Sequence, residues 1–163
     1  MAMSPEVLMT ATLTAGTVPD TVSPAIRSRM MAGIRGKDTK PEMAVRRYLH
    51  RLGFRYRLHR ADLPGRPDIV LGRYRAVVFV HGCFWHQHPG CRFAYQPKSR
   101  QDFWRPKLRG NADRDVENGR RLETLGWRVL TVWECETSDS QLEGLAAAIR
   151  QDQGGTNMPS EAH

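Results

Sequence analysis

Eleven consecutive residues, His81-Gly-Cys-Phe-Trp-His-Gln-His-Pro-Gly-Cys91, hold three of the chain's six histidines and two of its three cysteines. Cys83, His88 and Cys91 set two thiolates and an imidazole close together, and Cys135, far downstream, could supply the fourth corner of a tetrahedral site. Mixed sulfur and nitrogen ligation favours Zn2+, and a site closed by four protein ligands is structural rather than catalytic. The plainer alternative makes Cys135 a small buried hydrophobe and the histidines a solvated loop.

With those four at zinc, His81 and His86 remain free, and histidine titrates where a general base is useful. Asp68 follows the turn Pro64-Gly65-Arg66-Pro67 and precedes an apolar run. A carboxylate pinned there is a good ligand for a hard cation such as Mg2+, although an Asp in a turn can equally cap its own backbone. Glu42 closes Thr39-Lys40-Pro41-Glu42, a capping-box spacing that is sufficient to explain it. Two aromatic pairs, Phe84-Trp85 and Phe103-Trp104, stand among Lys98, Arg100, Arg105, Lys107 and Arg109. Exposed rings on a basic surface can wedge between DNA base steps; packing against the Cys/His loop is the competing explanation.

These residues need elements to position them. Ser23-Pro24 can open a short basic helix with Ile26, Met30 and Ile34 on one face. Thr39 predicts a helix over about 40–52, with Ala44, Val45, Tyr48, Leu49 and Leu52 at helical spacing and Gly53 as its stop. Phe54–His59 alternates apolar and basic residues, the period of a half-buried strand. Ile69–Leu71 and Ala76–Val80 are β-rich runs separated by Gly-Arg-Tyr-Arg and predict a hairpin or meander. Beyond the loop His81–Ser99, a capping-box spacing at Ser99-Arg-Gln-Asp102 predicts a helical region ending at Gly126. Trp127–Trp133 predicts a strand, and Ser140–Arg150 a final helix with Leu142, Leu145, Ala146 and Ile149 inward. The order describes an α/β fold with a small mixed central sheet flanked by helices.

Charge is unevenly distributed. Twenty-five Lys and Arg against seventeen Asp and Glu leave a net +8 over 163 residues. Residues 1–22 carry −2 and residues 136–163 carry −4, so Ser23–Cys135 carries +14, together with all thirteen aromatics. A basic, ring-rich middle suggests a polyanionic partner. Mean hydropathy is −0.55 and no run approaches the ~20 apolar residues of a spanning helix, so no membrane role is expected. An odd number of cysteines points to a reducing compartment. The length suits one domain at 23–150 between a flexible leader, 1–22, and a flexible acidic tail, 151–163.

Taken together, Leu63-Pro-Gly-Arg-Pro-Asp68, Val78-Phe-Val-His-Gly-Cys-Phe-Trp-His86, Asp102-Phe-Trp104 and Leu125-Gly-Trp-Arg-Val-Leu130 through Val132-Trp-Glu-Cys135 resemble the very-short-patch repair (Vsr-type) DNA mismatch endonucleases. The resemblance spans roughly Ser23 to Ile149. It implies a restriction-endonuclease-like core that nicks one strand of duplex DNA at T:G mismatches left by 5-methylcytosine deamination. By the same resemblance Asp68 is the Mg2+ ligand, helped by a main-chain carbonyl near Val80. His86 is the general base, His81 assists at the phosphate, and Glu42 orients water at the metal. Cys83, His88, Cys91 and Cys135 are the structural Zn2+ ligands. Phe84, Trp85 and Trp104 are the aromatic wedges, and the basic segment with Arg27, Arg29 and Arg35 grips DNA. The spacing His88-x2-Cys91 is one residue longer than the family's usual, which leaves His86 as the alternative imidazole ligand.

The resemblance also implies a monomer of the bacterial cytoplasm, with mismatch-repair proteins as further partners. Two other readings stay open from sequence. One is a related zinc-stabilised nuclease of the same fold that acts on another lesion or site. The other is a non-catalytic DNA-binding module, for which Asp68, His81 and His86 together have no evident use.

Overall fold

The computed structural model describes residues 37–151. The leader, the basic helix with Arg27, Arg29 and Arg35, and all but the first residue of the acidic tail lie outside the described residues. Helix α1 spans Lys40–Arg51. Its Thr39 cap is built as the sequence predicts: Oγ1 of Thr39 accepts the Glu42 N–H at 3.3 Å, and Glu42 Oε2 accepts the Thr39 N–H at 3.4 Å. Gly53, at φ +83°, reverses the chain, and the Phe54 N–H donates to the Leu49 carbonyl at 3.0 Å. That reversal needs the left-handed region, where glycine has no Cβ penalty.

The expected strand Phe54–His59 is mostly absent. Only Arg57–Leu58, strand β1, pairs with a neighbour. Phe54 is committed to the end of α1 and buried at 2% exposure, while His59 at φ +47° leaves the extended conformation. Both ends of the alternating run are thus drawn off by other demands.

Strands β2 (Ile69–Leu71) and β3 (Ala76–His81) form an antiparallel hairpin across a short turn at Gly72–Tyr74. Helix α2 spans Gln101–Thr124. It carries the chain back to strand β4 (Arg128–Trp133), which runs parallel to β3 from Ala76↔Arg128 to His81↔Trp133. Helix α3 (Asp139–Arg150) completes the fold. The sheet order is β1-β2-β3-β4, the mixed α/β arrangement expected from the sequence.

Two of the predicted starts shift. The residue before α2 is Arg100 at φ +50°, whose carbonyl accepts from both Phe103 and Trp104, so Ser99 does not cap that helix. Before α3, Ser138 forms a capping box with Gln141, which begins the helix at Asp139, one residue earlier than the apolar spacing alone suggests.

The strands alternate between two cores. Ile69, Leu71, Ala76, Val78 and Val132 face α1 and α3, against Val45, Leu49, Leu142, Leu145, Ala146 and Ile149. Val70 and Val77 face the other way, against Leu63, Leu122 and Trp127 of the α2 side. A sheet covered on both faces requires near-continuous apolar runs in its central strands, which is what Ile69–Leu71 and Ala76–Val80 are. Truncating Leu49 or Leu122, each fully buried, should cost about 2–5 kcal/mol.

Candidate active site

The end of β3, the start of β2 and one face of α2 enclose an open cleft of about 900 Å3, with Asp68, His81, His86 and Asp115 in its lining. The hairpin puts Asp68 beside Val80: Asp68 Oδ2 accepts the Val80 N–H at 2.7 Å. Its second oxygen, Oδ1, lies 3.7 Å from His59 Nδ1. Burial holds the Asp68 carboxyl above the usual carboxylate range, against the opposing pull of the Val80 N–H. A cation beside it would offset that desolvation.

His81 ends β3 and is 8% exposed. Its ring stacks on that of His86, with centroids 3.9 Å apart and planes within 6°. Burial, and then the neighbouring His86, lower the His81 pKa to about 4, so His81 is neutral near pH 7. His86 Nδ1 donates to Asp115 Oδ2 at 2.6 Å. A carboxylate on one ring nitrogen fixes the tautomer and leaves Nε2 as the acceptor.

Asp115 is a residue that sequence reasoning missed. It sits in Asp113-Arg114-Asp115, inside the helical region the sequence predicts, where no residue type or spacing sets one acid apart from the other. Only the pairing of α2 with the Cys/His loop distinguishes it.

Glu42 is also deeply buried, at 2% exposure, and both its oxygens are taken. Oε2 holds the Thr39 N–H, while Oε1 pairs with Arg46 Nη2 and lies 3.2 Å from His59 Nε2. The capping role therefore holds, and Glu42 reaches the cleft through Arg46 and His59 rather than as an open carboxylate. Neither partner is marked by any sequence pattern: Arg46 looks like one of several basic residues on α1, and His59 like the polar face of a strand.

Behind the cleft, Cys83, His88, Cys91 and Cys135 bring one ligand atom each within 4.8 Å of all the others. Sulfur pairs are 3.5 Å (Cys83–Cys135) and 3.8 Å (Cys91–Cys135) apart. His88 Nδ1 lies 3.6 Å from Cys83 Sγ and 3.4 Å from Cys135 Sγ. A regular tetrahedron with ordinary Zn–S and Zn–N bonds has edges of ~3.8 Å between sulfurs and ~3.6 Å from sulfur to nitrogen. The four residues therefore fit a zinc ion, and the sulfurs are too far apart for a disulfide. Burial pushes the Cys83 thiol up to about 12, so a cation at the centre is what would make it a thiolate. His88 presents its other nitrogen, Nε2, to Glu136 at 3.6 Å and stacks on Trp133 at 4.2 Å. Between the two imidazoles left open by sequence, the cluster takes His88, and His86 goes to Asp115.

Glu134, next to Cys135, accepts the Cys83 N–H at 2.9 Å and ties the loop to the end of β4. Phe84, Trp85 and Trp104 contact one another, Tyr95 packs on Phe84 and Phe103 on Trp104, with ring centroids 5.1–6.0 Å apart. Phe84, Trp85 and Trp104 are half-buried, whereas Phe93, Tyr95 and Phe103 are 45–63% exposed. The rings pack on one another and still present a surface, so packing and exposure coexist. Trp85 also lines a smaller hollow of about 450 Å3 with His81 and His86, which joins the aromatic patch to the imidazoles.

The structure thus sets a carboxylate and a carboxylate-braced imidazole at the strand ends of a mixed α/β sheet, backed by a Cys/His cluster able to hold a metal ion. A family model described as DNA mismatch endonuclease Vsr matches residues 19–92. The type II nicking enzyme V.XorIIP of Xanthomonas oryzae pv. oryzae is 53% identical over 80% of this chain and 94% of its own length. The type II nicking enzyme V.NmeAIP of Neisseria meningitidis is 45% identical over 77% of this chain and 90% of its own. The DNA mismatch endonuclease Vsr of Escherichia coli is 46% identical over 68% of this chain and 70% of its own. The chain belongs to the Vsr DNA mismatch endonuclease family.

Proposed function

We propose that this protein nicks one strand of duplex DNA at a T:G mismatch, of the kind left by deamination of 5-methylcytosine, and thereby begins very-short-patch repair. The observation that carries this reading is the cleft in which Asp68 and the His86–Asp115 pair lie beside an aromatic surface. His86, with its Nδ1–H held by Asp115, accepts the proton of the attacking water at Nε2. His81, neutral and stacked against it, donates an N–H to the phosphate. Asp68, its Oδ2 fixed by the Val80 N–H, would hold Mg2+ together with a main-chain carbonyl near Val80. Mg2+ bound there supplies charge stabilisation to the phosphoryl and leaving oxygens. Cys83, His88, Cys91 and Cys135 would hold Zn2+, which would keep the loop bearing His86 in place.

Mismatch preference follows from deformability, because a wobble pair opens at lower cost than a Watson–Crick pair. Phe84, Trp85 and Trp104 enter the opened step, while Arg27, Arg29 and Arg35 contact the backbone. One active site makes one nick, so a monomer suffices. Asp68→Ala tests the assignment: T:G duplex should still bind, measured by fluorescence anisotropy, with nicking lost. Nicking that persists in the variant would remove Asp68 from the chemistry.

A further inference from the structure

Between Glu42 and Asp68 stands a residue that no family pattern drew attention to. His59 Nε2 is 2.8 Å from Arg46 Nη2 and 3.2 Å from Glu42 Oε1, and its Nδ1 is 3.7 Å from Asp68 Oδ1. A guanidinium has donors only. Nε2 thus meets a donor, Arg46, and an acceptor, Glu42, and the nitrogen left to face Asp68 is Nδ1. The 3.7 Å separation is too long for a direct hydrogen bond and short enough for an electrostatic contact across a partly buried space.

Arg46 is built around this task. It is 6% exposed, and its Nη1 donates to Asp38 at 2.6 Å, while its Nη2 serves both Glu42 and His59. Its Nε is buried with no hydrogen-bond partner among the described residues. His59 itself sits at φ +47°, in the left-handed region that is unfavourable for a non-glycine residue and that recurs where geometry serves function.

We propose that His59 is a positioning residue of the nuclease site: Arg46 and Glu42 hold its Nε2 edge, and its Nδ1 edge sets the Asp68 oxygen that is not engaged by Val80. The inference rests on Asp68 being the cation ligand. Glu42, Arg46 and His59 form one chain that links the cap of α1 to the start of β2, so the two acids are aligned through a side chain rather than by backbone alone.

The test uses the full, zinc-replete chain and measures Mn2+ binding by electron paramagnetic resonance, without reference to turnover. Asp68→Ala is the control and should abolish the site. Asp68→Ala that binds Mn2+ like the parent would overturn the assignment of Asp68, on which the inference rests. With that control in place, His59→Leu should weaken Mn2+ about tenfold, the usual effect of removing an outer-shell partner. His59→Asn, whose amide nitrogen replaces Nδ1, should recover most of the loss. Parent-like binding by His59→Leu overturns the proposal and leaves Asp68 untouched, as does an Asn variant no better than Leu. If the Leu variant fails to fold, Asn against Gln decides, because Gln replaces the Nε2 side and keeps only the contact with Arg46. Asn must then bind Mn2+ more tightly than Gln, and the reverse order contradicts the proposal.

Discussion

Asp115 gives the site its direction. An imidazole free to rotate and to exchange tautomers presents the wrong nitrogen much of the time. The 2.6 Å bond from His86 Nδ1 to a helix-borne carboxylate removes that freedom. His86→Ala should lower the single-turnover nicking rate by ~10²–10⁴, the usual contribution of a general base. Asp115→Asn, which can reverse the tautomer, should lower it by ~10–100-fold with little change in duplex affinity. An unaltered rate in Asp115→Asn would mean that His86 is held by its stacking on His81 instead. At this scale the sequence displays the residues with unusual chemistry in short runs, namely the Cys/His loop and Asp68 after its Pro-Gly turn. It conceals Asp115, Arg46 and His59, because ordinary charged residues on a helix or strand acquire a role only through partners distant in sequence.

Elements bring those partners together, and α2 contributes most. Its early turns carry Trp104 and the aromatic patch, its middle carries Asp115, and Leu122 anchors its far end in the core. The loop that delivers Asp68 is pressed against the same helix: at Gly65, with φ +69°, a Cβ would come within 3.0 Å of the Asn118 side chain. Gly65→Ala should therefore cost about 1–3 kcal/mol in chemical denaturation and slow nicking by displacing Asp68. A variant with parent stability would show that the loop has room to shift. Helices α1 and α3 and the hairpin were legible because period, caps and stops agree, as with Thr39-Glu42 and the paired apolar runs. The strand expected at Phe54–His59 was not, since alternation records two faces but cannot register that Phe54 is claimed by α1 or that His59 turns out of the strand. The cap of α2 failed for a similar reason: Ser99 has the spacing, but the carbonyl of left-handed Arg100 takes the amides of Phe103 and Trp104, so the helix opens at Arg100 and Ser99 falls one residue outside it.

For the whole molecule, the Cys/His cluster joins the loop after β3 to the end of β4, so a metal ion held there would couple to fold stability. Cys135→Ser should release Zn2+, read by elemental analysis, and lower the thermal midpoint. Unchanged metal content would exclude Cys135 as a ligand. Under the proposed function, the +14 carried by Ser23–Cys135 would supply sequence-independent attraction that weakens steeply with salt, and discrimination would reside in the rings. Trp85→Ala should accordingly reduce the preference for T:G over matched duplex more than it reduces total affinity. Equal losses on both would make Trp85 a packing residue. The central claim is a single mismatch-directed cut, and it is tested most directly by incubating the protein with duplexes labelled separately on each strand and carrying T:G, U:G or fully paired bases, with Mg2+ or with EDTA. The predicted result is one nick, in the strand bearing the mismatched thymine, with Mg2+ and not with EDTA, and none in paired DNA; equal cutting of paired DNA, cutting of both strands, or no cutting of any substrate would contradict it.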